Sequence, residues 1–313
     1  MKIKNKIAKK MITSFLRFYT YNELPGWGIF YKNLVGGYEN DDYWKDSKPQ
    51  WVRGKYHGYE IKLDISTWPQ RLTYFLGRYY DLPSQLLLMK ILKPGDTFCD
   101  IGGNIGEISY LASNLVGPKG HVDTFEPNPK LVSYINEMIA HNQIKNTKVH
   151  DCALSDKEET LTLTIPRVNP GEATLAPSKY ADDSVEKVQV PVFPGDKIIK
   201  NRDRLTVIKM DVEGFEYRAI SGMSELLSSL KPCVIMEVNT AHLENAGTSY
   251  IEVFEKMEQL GYKCNTYTPK GKFRKKLLMN EVSVDTFLDS GSQDFLWIHS
   301  EKIRDTMTDI QKG

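Results

Sequence analysis

Apolar and polar positions follow two rhythms in this chain. From residue 97 to residue 299, short apolar runs alternate with stretches whose apolar residues recur every three or four positions. Short runs of that kind read as buried strands, and the longer period reads as one face of a helix. The pattern predicts strands over 97–101, 121–125, 147–154, 205–210, 233–238, 262–268 and 293–299. It predicts helices over 105–115, 128–141, 216–230 and 250–260. Strands and helices alternating at this spacing imply an α/β fold, with a doubly wound, mostly parallel sheet covered on both faces. The series is interrupted between Leu154 and Leu205, where 159–165 and 185–193 alternate apolar with polar residues. That period of two predicts a β-hairpin insertion near the sheet edge.

The chain before residue 71 reads differently. Ile3, Ile7, Met11 and Phe15 recur every fourth residue, with Ile12, Leu16 and Tyr19 alongside, which draws a helical stripe. Lys2, Lys4, Lys6, Lys9 and Lys10 all precede the first acidic residue. A basic amphipathic helix has two readings here: one packed on the body with solvated lysines, or a surface anchor through residues 1–19 on anionic lipid. Residues 20–60 are rich in Tyr, Trp and Gly and predict loops and short strands, with a hairpin over 51–65 turning at Gly54 and Gly58. Residues 69–92 read as helix, ended by Pro94-Gly95. The expected division is an N-terminal helical and aromatic extension over 1–70, a main domain over 71–300 and a C-terminal tail over 301–313.

Composition narrows the function. Of 313 residues, 41 are Lys or Arg and 40 are Asp or Glu, leaving a net charge of +1. A dedicated nucleic-acid binder normally carries a strong basic excess, so no nucleic-acid partner is expected. Cys99, Cys152, Cys233 and Cys264 are scattered, with no CxxC pair. Buried thiols in a reducing compartment are expected, hence a cytoplasmic protein, peripheral to the inner face of the membrane if the N-terminal anchor operates. No apolar stretch reaches the ~18–20 residues of a membrane span.

The sharpest local feature is Asp100-Ile101-Gly102-Gly103-Asn104-Ile105-Gly106, at the join of the first predicted strand of the sheet and its helix. Glycines there allow a tight turn and close approach of a ligand to the backbone. A carboxylate at the strand tip disfavours a pyrophosphate and favours a cationic amine. Glu126 closes the second strand, where an acidic residue accepts hydrogen bonds from ribose hydroxyls in doubly wound folds. The dinucleotide fingerprint GxGxxG fails, because the glycines it needs after Gly102 are Asn104 and Glu107, and after Gly103 the next required position is Ile105. This disfavours an NAD-dependent oxidoreductase.

These residues resemble the first motif of class I S-adenosylmethionine-dependent methyltransferases, a Rossmann-like fold, and their flanks are similar to the FkbM family. The similar blocks are Lys93-Pro94-Gly95-Asp96, Phe98 to Gly106, Phe125-Glu126-Pro127-Asn128-Pro129, Ala153-Leu154-Ser155-Asp156, Ile208 to Glu216 and Val234 to Asn239, in order across about residues 75–300. Gly103 stands where the family usually has Ala, a difference expected to be harmless. Thr174 stands where a Ser-containing motif is usual, so no role is carried onto it.

The resemblance implies S-adenosyl-L-methionine as cofactor. Asp100, Gly102, Gly103, Asn104 and Gly106 would line its methionine end, and Glu126 would hold its ribose. Asp151, Cys152 and Ala153 would face its adenine. Asp211 would lie beside the sulfonium methyl. If the acceptor is a hydroxyl, its proton needs a base, and Asp211, Glu213 and His242 all follow strand C-termini on the ligand side. Asp211 is favoured and Glu213 comes second. No metal site is assigned, although carboxylates such as Asp211, Glu213 and Glu237 suit Mg²⁺. The implied function is O-methylation of a hydroxyl on a sugar, glycan or secondary metabolite. The alternatives are N-methylation of a protein or small amine, and a module that binds S-adenosylmethionine without catalysis.

Overall fold

The computed structural model describes residues 6–167, 170–177, 181–199, 204–271, 275–287 and 291–312. It divides into two compact units, Met1–Leu82 and Pro83–Gly313.

The first unit opens with the helix Lys6–Tyr21, followed by the helix Trp27–Leu34 and a short turn of helix at Asp41–Trp44. Lys2, Ile3 and Lys4 of the predicted stripe lie outside the described residues. Strands β1 (Gln50–Arg53) and β2 (Glu60–Leu63) pair antiparallel as the expected hairpin. The continuous helix expected over 69–92 is instead two, Trp68–Leu76 and Leu82–Ile91. Gly77 ends the first of them at φ +67°, a left-handed conformation that glycine adopts without strain. The unit boundary also falls later than residue 70, and Arg71 gives the reason. Its guanidinium is fully buried and donates to the carbonyls of Ile65, Ser66 and Gly37 and to the Asp41 carboxylate at 2.7–3.1 Å. Those partners all belong to the first unit, so the helix carrying Arg71 stays with it.

In the second unit the strands are β3 (Thr97–Ile101), β4 (His121–Phe125), β5 (Thr147–His150), β6 (Ala153–Leu154), β7 (Glu159–Pro166), β8 (Val185–Phe193), β9 (Val207–Met210), β10 (Cys233–Asn239), β11 (Tyr262–Lys270), β12 (Lys276–Val282) and β13 (Ser292–His299). Eight of them form one sheet in the order β12-β11-β13-β10-β9-β3-β4-β5. The five strands from β10 to β5 are parallel neighbours, while β13 runs antiparallel between β10 and β11. This is a doubly wound α/β sheet. Strand order reverses between β3 and β9, and the crevice outside the strand C-termini at such a point is where ligands bind in open α/β sheets. The inner strands carry almost no exposed side chains: Phe98, Cys99, Val122, Val207, Ile208, Met210, Ile235 and Met236 are all fully buried. That is why they read as unbroken apolar runs.

Three expectations change in detail. The predicted strand over 147–154 is two elements: β5 ends at His150, and β6 leaves the large sheet to pair parallel with β8 in a separate three-stranded sheet, β6-β8-β7. The helix over 216–230 breaks into Glu216–Ser221 and Ser224–Leu230. Gly222 at the break packs so closely on the Ser155 carbonyl that a side chain there would overlap it. The residues from Glu301 on are not a bare tail, since Ile303–Lys312 is a helix with Ile310 buried. The insertion is the β7–β8 antiparallel hairpin, in register from Glu159 opposite Val192 to Pro166 opposite Val185.

Candidate active site

The first wall of the site is the loop leaving β3. Gly102 has φ +86°, Asn104 +50° and Gly106 +83°. Three left-handed residues within five turn the chain back sharply before the helix Glu107–Val116 begins. The N–H groups of Gly102 and Gly103 donate to the Phe125 carbonyl at the end of β4, at 2.9 and 3.0 Å. Glu126 ties the same two strand ends together. One carboxylate oxygen accepts from the Asn104 N–H and the other from the Asn128 N–H, both at 2.8 Å. Each oxygen keeps a second lone pair, so the ribose role is compatible with these bonds.

Asp100 lies beneath the loop, 2% exposed, and accepts from the Ser109 hydroxyl at 2.5 Å. Burial pushes Asp100 up to about 7, with the Ser109 bond and the Lys209 ammonium acting the other way. Glu126 is also pushed up to about 7 by burial, against its two backbone donors. Two desolvated carboxylates at a glycine turn suit a cationic, hydroxyl-bearing ligand and repel a pyrophosphate. On that donor chemistry the residues fit S-adenosylmethionine.

The Gly103 departure proves specific. A Cβ there would overlap the Thr124 methyl. Thr124 cannot turn away at no cost, because its hydroxyl is held to Ser109 at 2.6 Å and its side chain is fully buried. Glycine at 103 therefore goes with threonine at 124. Gly103→Ala should destabilise the protein by about 1–3 kcal/mol, the range for overpacking a filled core. Thr124→Ser, which removes the methyl and keeps the hydroxyl, should restore most of it. Urea denaturation of the single and double variants checks this, and equal loss in both would put the strain elsewhere.

The structure separates the three residues expected to face the adenine. Asp151 is exposed at the corner where the chain leaves β5. The Cys152 side chain, 5% exposed, packs in the core with Cys99, Ile101 and Leu154. Ala153 is likewise buried as the first residue of β6. Only Asp151 could offer a side chain to a ligand there, and the thiol, pushed up to about 11 by burial, is inert.

The second wall follows β9 and β10. Asp211 stands just past β9, its N–H bonded to the Ile101 carbonyl at 3.0 Å, so it begins where the glycine loop begins. Glu213 at φ +51° and Gly214 at φ +103° then turn the chain tightly. A non-glycine residue held in that region is a strained arrangement typical of functional sites. Its Oε2 lies 2.6 Å from His242 Nδ1, from the helix Thr240–Asn245 after β10. Glu237 on β10 accepts from the Ser292 hydroxyl. Asp211, Glu213 and Glu237 bring carboxylate oxygens within 4.8 Å of one another. Such a set could hold a hard divalent cation. Crowding has a price in acidity: burial, then the charge of Asp211, pushes Glu237 up to about 9. Burial likewise raises Glu213, while His242 opposes it. Lys209 supplies a nearly buried ammonium, 3.4 Å from Asp211 and 3.0 Å from Asp294.

Two residues left without a role in the sequence reading hold this wall in place. Glu216 is 2% exposed and accepts from the N–H groups of Val212 and Gly214 at 3.3 Å, fixing the turn from inside. Thr174, in the insertion, donates its hydroxyl to the Glu213 carbonyl at 2.8 Å. The Asp-x-Glu-Gly-x-Glu spacing could have pointed to Glu216, and the place of Thr174 where the family usually has a Ser-containing motif was the signal for Thr174.

The sequence pattern of the methyltransferase FkbM domain matches residues 100–264. "Methyltransferase 1" of Beauveria bassiana is 27% identical over 46% of this chain and 66% of its own length. The hexuronic acid methyltransferase AglP of Haloferax volcanii is 25% identical over 49% of this chain and 60% of its own. The chain thus spans a little under two thirds of the curated relatives it matches. The crystal structure of methyltransferase FkbM from Methylobacillus flagellatus is 14% identical, covers 87% of this chain and 60% of its own, and superposes with a TM-score of 0.41. With a family match over more than half its length, from the Asp100 glycine turn through both walls of the site, the chain belongs to the methyltransferase FkbM family.

Proposed function

We propose that the protein is an S-adenosylmethionine-dependent O-methyltransferase acting on a hydroxyl of a sugar, glycan or other small metabolite. The observation that carries this reading is the junction of the two walls: the glycine turn, which suits the cofactor, abuts the turn that presents Asp211 and Glu213. The cofactor, when bound, supplies a methyl already activated on a sulfonium, so the protein contributes alignment, exclusion of water and proton removal. Glu126 accepts from ribose hydroxyls and Asp100 supplies negative charge beneath the loop. Asp211 takes the proton of the acceptor hydroxyl, whose oxygen can then form the new bond to carbon. Glu237, near 9, holds its own proton at neutral pH and orients the acceptor as a donor. Glu213, paired with His242, is the second candidate for the base. Support for a sugar acceptor comes from the relative named for hexuronic acid methylation. The local carboxylates favour a neutral sugar over a uronate here, and they would also attract an amine, which keeps N-methylation as the second reading.

The test is transfer of label from S-adenosylmethionine to a panel of neutral sugars, uronic acids, glycans and amines. Label only on amines would replace the first reading with the second, and label on none would remove both. Cofactor binding gives a separate check. S-adenosylmethionine and its demethylated product should bind with similar affinity, well above NADH. Because Asp100 and Glu126 sit near 7 in the free protein, a cationic ligand must hold them ionised and release protons. Affinity should therefore rise between pH 6 and 8, by about tenfold for each such group. Calorimetry in two buffers reads both the affinity and the proton release; tight NADH binding, or pH-independent affinity, would refute the assignment.

A further inference from the structure

The N-terminal unit carries an apolar face on its outside. In the helix Lys6–Tyr21, Leu16 and Thr20 are buried, at 4% and 0% exposure. Phe15 and Phe18, one turn apart, are 64% and 63% exposed. The helix therefore packs through Leu16 and Thr20, while Phe15, the last of the residues recurring every fourth position, stays outside. The second helix, Trp27–Leu34, extends the patch: Ile29 is 68% and Phe30 48% exposed. Tyr19 joins the two, stacked on Phe15 with ring centroids 6.2 Å apart and edge-on to Phe30 at 5.2 Å.

Charge says what this face meets. Residues 1–35 hold seven Lys and Arg against one acidic residue, Glu23. That single acid is already engaged by Arg78 and Lys55 at 3.0 and 3.1 Å. The segment carries +6, and since the chain totals +1, the remaining residues carry −5. The positive charge is thus gathered in the same stretch of sequence as the exposed aromatics. Aromatic side chains favour the headgroup level of a bilayer, and clustered lysines are drawn to anionic lipid. Among the described residues, no helix is long and apolar enough to cross a membrane. We propose that this unit docks the protein on anionic lipid bilayers, with Phe15, Phe18, Ile29 and Phe30 inserted at headgroup depth and the N-terminal lysines on the lipid phosphates. The proposal is independent of the acceptor and of the catalytic reading.

The experiment is co-sedimentation of the full chain with vesicles of phosphatidylcholine alone or mixed with phosphatidylglycerol, at low and high salt. Binding should require phosphatidylglycerol and weaken as salt rises. The double variant Phe15→Ser/Phe18→Ser should bind about tenfold more weakly or worse, from the loss of two inserted rings. Lys9→Glu/Lys10→Glu should lose the dependence on anionic lipid. Both pairs should keep the wild-type far-ultraviolet circular dichroism and cofactor affinity, showing that the fold and the other unit are intact. Absence of vesicle binding, or equal binding with and without phosphatidylglycerol, would overturn the proposal. So would concentration-dependent dimerisation abolished by the phenylalanine pair without any vesicle binding, which would assign the face to a second copy of the chain.

Discussion

Asp211→Asn should lower single-turnover methyl transfer by about 10²–10⁴-fold, the usual contribution of a positioned general base. Asparagine keeps the size of the side chain and can still meet the Lys209 ammonium, 3.4 Å from the native carboxylate. It removes only the basicity. Cofactor affinity should hold, because Asp100 and Glu126 carry the polar contacts assigned to the cofactor. The neighbours sharpen the test. Glu237 is raised first by burial, which the variant leaves in place, and then by the charge of Asp211, which the variant removes. Glu213 can act as base in place of Asp211, since burial raises its pKa and makes its ionised form a stronger base than an ordinary carboxylate. If Glu213 is the base, Glu213→Gln carries the large loss and Asp211→Asn a small one. A loss of affinity with normal saturated turnover would make Asp211 part of the cofactor pocket instead. A rate for Asp211→Asn within about threefold of wild type at saturating cofactor removes it as the base.

What the sequence made legible was whatever is decided locally. The strand at Thr97–Ile101 and the turn after it were readable because a fully buried parallel strand has no polar face and a left-handed turn needs glycine or asparagine. The insertion was readable from its period of two. Edge features were not. β12 escaped because, of its seven residues, only Leu277 is buried, so little alternation marks it. The end of β5 was overrun because the apolar residues Cys152 to Leu154 continue the pattern while the chain turns to a second sheet. Within the site, Asp211 and Glu213 stood out by the family resemblance and by their place just after a predicted strand. Thr174 reaches Glu213 across 39 residues of sequence, and Lys209, beside Asp211, is itself held by Asp294 across 85, and no local pattern encodes such contacts. Gly103 shows the same limit from the other side: taken alone it looks like a neutral change from alanine, and only the Thr124 methyl gives it a reason.

Gly102→Ala should be the most damaging single methyl group in the second unit. At φ +86° alanine pays about 1–2 kcal/mol for the left-handed region alone. An added Cβ would also overlap the carbonyl oxygen of Asp211. Both sides of that contact are backbone, so no side chain can swing aside. Relief requires parting the loop after β3 from the end of β9, against the bond from the Asp211 N–H to the Ile101 carbonyl. Overpacking of this kind costs about 1–3 kcal/mol more, for a total of roughly 2–5 kcal/mol. The same displacement moves the cofactor turn and the proposed base together, so affinity and turnover should fall in one variant while Asp211→Asn affects turnover alone. Gly95→Ala is the control: Gly95 has φ +90° and nothing within 4 Å of where its Cβ would lie, so it pays only for conformation. Urea midpoints for the two variants separate the terms. If Gly102→Ala costs no more than Gly95→Ala, the two walls are not rigidly joined, and the placement of Asp211 against the glycine turn is not what fixes the site.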